Sequence, residues 1–393
     1  MSAELPAKKT AWQTSLVSPT LRVSSDAFRS LVPPTHRGST VVFDRLADAR
    51  DDWRGEEYTY GLYGTPTTRE LAARIAEIER AKSSFIVPGG QSAILLIYMA
   101  FCRSGGHALV PETAYGPNLE LAQNLLSGLG IEVEAYDPLI GGAISALFRP
   151  NTQLVWCESP GSITMEIQDV PAIAYAAHHA GVPVAVDNTY AAGVFFDAFS
   201  HGVDISMQAV TKYIGGHSDI LLGSVSVSNQ TAEERIGATH RLLGLAVSPD
   251  DCSLALRGME TLAVRLDRLQ STAFEVAQWC QRRKEITTVL HPALASCPGH
   301  TIWERDFTGS SSVFSIVLHP DWNWERIRAF VESLQIFKIG FSWGGTTSLV
   351  MAYESLPRKF SDYGNRVVRL NVGLELADDL IADLQQAFES VAT

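Results

Sequence analysis

Val182-Pro-Val-Ala-Val-Asp187 and, further on, Gln208-Ala-Val-Thr-Lys212-Tyr form the stretch from which the architecture of this chain can be read. Both belong to runs that are apolar throughout rather than alternating. Strands of that kind suit a sheet covered by helices on both faces. Asp187 closes the first run and Lys212 stands just behind the second. Open α/β sheets carry their ligand sites at those strand ends.

Outward from this stretch, strand-like and helical segments alternate. Residues 84–87, His107–Val110, Gln153–Cys157, Asp204–Val210 and Ile220–Val227 read as further strands. Ser92–Phe101, Asn118–Leu129 and Val170–Ala180 read as helices between them. Another helix is expected from Thr67, where Thr67-Thr-Arg-Glu70 matches a capping box and Leu71, Ile75 and Ile78 share one face. The spacing predicts one long helical stretch over Asp250–Lys284. Beyond it, Ser312–Leu318, Ser348–Tyr353 and Val367–Gly373 read as strands, and Asn323–Leu334 and Asp378–Val391 as amphipathic helices. The expected division is an arm over 1–64 that packs on a neighbouring subunit, an α/β domain over 65–259 with a mainly parallel sheet, and a smaller α+β domain over 260–393.

Composition narrows the classes. With 46% hydrophobic and 19% charged residues among 393, the chain can bury two or three packed regions. A formal charge of −12 argues against nucleic acid or an anionic membrane surface as partner. No apolar run is long enough to span a bilayer, and the start lacks the apolar core of a secretory signal. Five scattered cysteines without a C-x-x-C pair suit a reduced, cytoplasmic protein. The histidines show no metal-ligand spacing, so no metal site is expected.

Chemistry enters with the pair at the strand ends. A lysine amine can condense with the aldehyde of pyridoxal phosphate (PLP), and a buried carboxylate keeps the pyridine nitrogen protonated. Lys212 and Asp187 are the candidates; the plainer readings are a snorkelling lysine and a helix-capping aspartate. Gly89-Gly90-Gln91 precedes a helix whose N-terminus could hold a phosphate, although such turns are often only tight turns. Thr211 could add a hydroxyl there. Tyr115 could stack on a pyridine ring or be an ordinary loop tyrosine. Arg369 lies in Val367-Val-Arg-Leu-Asn-Val-Gly-Leu, where burial demands an anionic partner such as a substrate carboxylate, unless it faces out from an edge strand.

Several segments resemble one family. Thr59-Tyr-Gly, Glu158-Ser-Pro-Gly-Ser-Ile-Thr-Met-Glu, Asp187-Asn-Thr-Tyr-Ala-Ala-Gly, Ala209-Val-Thr-Lys-Tyr-Ile-Gly-Gly-His-Ser-Asp and Phe341-Ser-Trp-Gly-Gly are similar to motifs of the Cys/Met-metabolism PLP enzymes, most of all their bacterial cystathionine beta-lyase branch. His300–Ser312 also fits, and the resemblance runs from about residue 55 to the C-terminus. It implies fold type I of the PLP-dependent transferases and β-elimination of L-cystathionine to homocysteine, pyruvate and ammonia. Other carbon–sulfur chemistry on the same scaffold is the alternative: γ-synthase, γ-lyase, or a lyase for cystine or S-alkylcysteine. Relatives doing γ-chemistry more often have asparagine where Ser162 stands.

The resemblance also implies roles. Lys212 is the cofactor lysine and general base, Asp187 faces the pyridinium, and Tyr115 stacks on the ring. Gly90, Gln91 and Thr211 bind phosphate, while Ser342, Trp343 and Arg369 line the substrate side. Tyr60 reaches a neighbouring subunit's site, making a dimer the minimal active unit and a tetramer the expected assembly. Two departures stand out. Leu62 occupies the position of a phosphate-binding arginine, so that either Arg54, Arg69 or another basic group substitutes or backbone and hydroxyls hold the phosphate, and Ala209 replaces a common serine. Both point to weaker PLP retention.

Overall fold

Residues 11–17, 30–49 and 57–391 are described by the computed structural model. Seven strands form the larger sheet: β1 (Ser83–Val87), β2 (His107–Pro111), β3 (Glu132–Tyr136), β4 (Thr152–Glu158), β5 (Val184–Asp187), β6 (Ile205–Gln208) and β7 (Gly223–Val227). Their order is β1-β7-β6-β5-β4-β2-β3. From β3 to β6 neighbouring strands run parallel; β7 is antiparallel to both β6 and β1. The sheet is therefore mixed and mostly parallel, within the expected α/β class.

The unbroken apolar runs have a geometric cause. Successive side chains of a strand point to opposite faces. Leu109, Val155, Cys157, Val184 and Val186 enter one apolar layer, whereas Ala108, Val110, Leu154, Trp156 and Ala185 enter the other. Both layers are dry, so both registers must be apolar.

The helices are α1 (Trp12–Val17), α2 (Pro66–Glu79), α3 (Gly90–Phe101), α4 (Gly116–Leu121), α5 (Val170–His179), α6 (Gln230–Leu243), α7 (Pro249–Glu260), α8 (Leu262–Gln281), α9 (His300–Asp306), α10 (Trp324–Ser333) and α11 (Ala377–Ser390). Helix α2 corrects the expected start. Pro66 occupies its first turn and the capping box joins Thr65 to Thr68. Glu70 is drawn into a buried pair with Arg74 at 3.2 Å instead. The single long helix expected over Asp250–Lys284 is also two, interrupted at Thr261. The segment Asn118–Leu129 is helical, but it passes from α4 through a widened turn at Ala122–Leu126 into a tight turn at Ser127–Leu129.

Five strands make the smaller sheet: β8 (Ile286–Leu290), β9 (Val313–Leu318), β10 (Lys338–Ile339), β11 (Leu349–Ala352) and β12 (Val367–Asn371), in the order β10-β11-β12-β9-β8. It packs with α8, α10 and α11 around Phe314, Phe330, Phe388 and Leu384. All five cysteines are buried and unpaired. Among the described residues, no helix is long and apolar enough to cross a membrane.

One polar knot lies under the larger sheet. Glu79, at the end of α2, accepts hydrogen bonds from Ser206 of β6 and Ser226 of β7, each at 2.5 Å, and from Asn188 at 3.5 Å. Burial pushes its pKa upward.

Candidate active site

Strands β4, β5 and β6 end side by side, and register places Glu158 opposite Asp187. Thr189 donates its hydroxyl and its N–H to Asp187 Oδ1. The same hydroxyl accepts from Ala209 N at 2.9 Å, tying the acid to the turn that carries Lys212. Lys212 Nζ donates to Ser342 Oγ at 2.9 Å and lies 5.4 Å from the centre of the Trp343 ring. Gly344 permits this approach: its φ is +79°, and a Cβ there would come within 3.2 Å of the Lys212 backbone.

The electrostatics favour a reactive amine. Burial first and the Arg369 charge second lower the Lys212 pKa to about 8, against the opposing pull of Asp187. Burial raises the pKa of Asp187, against the pull of Thr189 and Lys212. Glu158 is pushed well above the usual carboxylate range by burial and by Asp187 beside it. Glu158 Oε2 accepts from Tyr115 N at 2.7 Å and so fixes the start of α4. Tyr115 leaves 46% of its surface exposed over this group, and its hydroxyl pKa is raised by burial and the neighbouring acids.

Arg369 sits on β12 with only 9% of its surface exposed. It donates through Nη2 to Phe341 O at 2.7 Å and, more weakly, to Ser342 O. Burial lowers its pKa, while Tyr353 and Tyr115 favour the charged form. The outward-facing alternative is thereby set aside.

Gly90 and Gln91 open α3 next to these strand ends. A Cβ on Gly90 would come 3.1 Å from Ala209 Cβ, so the bare glycine keeps the helix terminus close to the Lys212 turn. Gln91 turns its side chain to Pro117 O at 3.0 Å. Thr211 has a partner within the protein. Its hydroxyl donates to Leu222 O and accepts from Leu222 N, both at 3.0 Å, so its one proton is already engaged.

Asp187, Lys212, Tyr115, Ser342, Trp343 and Arg369 thus converge, with Gly90 at the rim. Tyr60 has no described contact with them; it is 50% exposed and bridges Thr40. Leu62 borders a separate cavity of about 460 Å³ lined also by Arg69, His240 and Arg241. Arg54 lies outside the described residues. One grouping of metal-ligand type occurs among the described residues: His107, Glu132 and Glu134. Arg149 already pairs with both of its carboxylates. Glu158 and Thr189, which carry no expected role, join the site from within two of the quoted motifs.

This donor set fits PLP: a buried acid whose nearby cation is the candidate lysine, an amine with a lowered pKa, an open tyrosine ring and a side-chain-free helix start. Comparison with known proteins agrees. Residues 13–389 match the profile described as Cys/Met metabolism PLP-dependent enzyme. Cystathionine beta-lyase MetC of Escherichia coli (strain K12) is 39% identical over 367 residues, covering 90% of this chain and 92% of the relative. L-alanine/L-glutamate racemase of Wolbachia pipientis wMel is 35% identical, covering 93% of this chain and 94% of the relative. The crystal structure of cystathionine gamma-lyase from Lactobacillus plantarum complexed with L-serine superposes with a TM-score of 0.89 at 27% identity, over 98% of this chain and all (100%) of that one.

Proposed function

This chain belongs to the Cys/Met metabolism PLP-dependent enzyme family, and from that premise we propose that it is a PLP-dependent carbon–sulfur lyase, a cystathionine beta-lyase. It cleaves L-cystathionine by β-elimination, consuming water and releasing homocysteine, pyruvate and ammonia, a step toward methionine. The observation that carries this reading is Lys212, an amine of lowered pKa held by Ser342 between Asp187 and Arg369.

PLP, when bound, supplies the electron sink for the carbanion formed at Cα. The rest falls to the protein. Asp187 would pair with the pyridine nitrogen, Tyr115 would cover the ring, and the N–H groups of Gly90 and Gln91 at the start of α3 would hold the phosphate. Arg369 takes the substrate α-carboxylate; among the described hydrogen bonds it uses only Nη2, so other N–H groups remain for the acid. Lys212 Nζ removes the Cα proton while Ser342 steers the amine. The carbon–sulfur bond then breaks, the thiol leaves with its electron pair and a proton, and the enamine left behind hydrolyses to pyruvate and ammonia. Ser162 in the Glu158-Ser-Pro-Gly-Ser segment supports β- over γ-chemistry.

We place the working enzyme in the cytoplasm as a homo-oligomer, at least a dimer, with Tyr60 serving the neighbouring subunit. Leu31, Val32, Val42 and Leu46, all largely exposed, supply apolar surface for that contact.

The test is incubation of the PLP-loaded protein with L-cystathionine and identification of the keto acid. Pyruvate with homocysteine is expected, and Lys212→Ala abolishes both. 2-Oxobutyrate with cysteine would move the enzyme to γ-elimination. Racemised L-alanine without keto acid would align it with the Wolbachia relative.

A further inference from the structure

Strands β11 and β12 are neighbours in the smaller sheet, yet residues 353–366 make a long excursion between them. Its two shoulders are anchored by Leu356 and Tyr363, which pack against the buried cluster that includes Met165, Tyr190, Val317 and Val367. Between the shoulders the chain crosses to the larger sheet and meets Glu112, three residues before Tyr115. Lys359 N donates to Glu112 Oε1, and Phe360 N donates to Glu112 Oε2 at 2.8 Å. Arg358 donates through Nη1 to Glu112 O and through Nη2 to Ser162 O at 3.3 Å. Its Nε is buried without a hydrogen-bond partner.

We propose that Glu112 and Arg358 form a latch that closes the excursion over the site and positions Tyr115 against Arg369 for substrate capture. This deepens, and rests on, the lyase reading above. The geometry supplies the reason. Arg369 lies on the strand that the excursion leads into, and it grips the substrate carboxylate from the smaller domain. Tyr115 stands on the opposite wall, in the loop that Glu112 opens. Without the latch, nothing in the excursion's tip links the two walls. A carboxylate collecting two adjacent backbone N–H groups is a two-pronged acceptor that few other side chains reproduce. Arg358 holds the same loop by its backbone and reaches Ser162 in the segment that distinguishes β-lyases. Both are positioning residues; neither is assigned contact with the reacting atoms.

The latch makes a divided prediction for kinetics. Substrate binding depends on both walls, whereas the proton transfer at Lys212 depends on Ser342 and Asp187. Holoenzyme carrying Glu112→Ala or Arg358→Ala should therefore show KM for L-cystathionine raised about tenfold or more, with kcat within about threefold. The double variant should be little worse than either single one, because both lesions open one device. Glu112→Gln should fall between, since one amide oxygen replaces two carboxylate oxygens.

Amide hydrogen exchange on the same proteins provides the readout that needs no turnover. Faster exchange at 358–360 and 112–116 is expected in both alanine variants, with thermal melting as the check that each is folded. Unchanged exchange there would overturn the latch whatever the enzyme's reaction. Faster exchange with unchanged KM would reduce the contact to loop packing and overturn its role in capture. Should an alanine variant fail to fold, Glu112→Gln decides the matter by the same two measurements. If the wild type releases no keto acid, the lyase reading fails while the exchange result still stands.

Discussion

At the scale of single residues, the site concentrates its tension at Lys212. Below about pH 8 the folded protein holds a buried ammonium that burial and Arg369 both oppose. The unfolded lysine keeps its proton to about pH 10.4. Between these values the unfolded state binds more protons, so stability of the apoprotein rises with pH through that window. Lys212→Met removes the group. The variant apoprotein should be more stable than wild type at pH 7, on the order of 2 kcal/mol after allowing for partial exposure, and the gap should close as pH approaches 10. Denaturant melts of both proteins at pH 7 and pH 10 check the magnitude and the sign. Ala209 is the second residue with a directional forecast. A hydroxyl there would lie next to the Gly90 helix start, while that of Thr211 is committed to Leu222. Ala209→Ser should tighten PLP binding about tenfold, read by fluorescence titration of apoprotein. Lys212, Asp187 and Arg369 stand out in the sequence as charged groups at or inside apolar runs, and the surrounding motifs, rather than the charges alone, weigh against a snorkelling lysine, a capping aspartate and an edge arginine. Glu158, Thr189, Glu112 and Arg358 are not, because each works through a partner made by the fold, Arg358 through one 246 positions away.

Elements are legible where one physical signal dominates. The buried parallel strands announce themselves because both faces of the sheet are dry. Strand β3 does not: it is an edge strand reading Glu132-Val-Glu-Ala-Tyr, with both acids paired to Arg149. Helix α2 is of the expected kind but begins earlier than the Thr67 box implies: its box joins Thr65 to Thr68, with Pro66 in the first turn. What the sequence does not display is how α2 is fastened. Glu79 at its end joins β6 and β7 through two serine hydroxyls, and Asn188 through its amide. Glu79→Ala would strip these donors of a shared acceptor in a site closed to water. The expected loss is about 3 kcal/mol of folding stability, measurable as a fall in the denaturant midpoint. An unchanged midpoint would mean that the serines re-pair locally and that the knot is incidental to the sheet.

For the whole molecule, the decisive question is whether one chain completes its own site. The described contacts bring six of the expected residues together and leave Tyr60 half exposed without a bond to any of them. A tyrosine that serves the neighbour must be supplied across a symmetric interface, so each site depends on two chains. Mixing separates this from a role at home. Lys212→Ala and Tyr60→Ala proteins are each expected to be nearly inactive. In a mixed dimer, one site combines the intact Lys212 of one chain with the intact Tyr60 of the other. The remaining site combines both lesions. Random re-association at equal amounts makes about half the dimers mixed, so activity should recover to about a quarter of wild type. If Tyr60 acted within its own chain, every site would carry one lesion and mixing would restore nothing. Recovery after unfolding and refolding together, but not after simple mixing of the assembled proteins, would place the exchange at the level of subunits, where the argument from Tyr60 requires it.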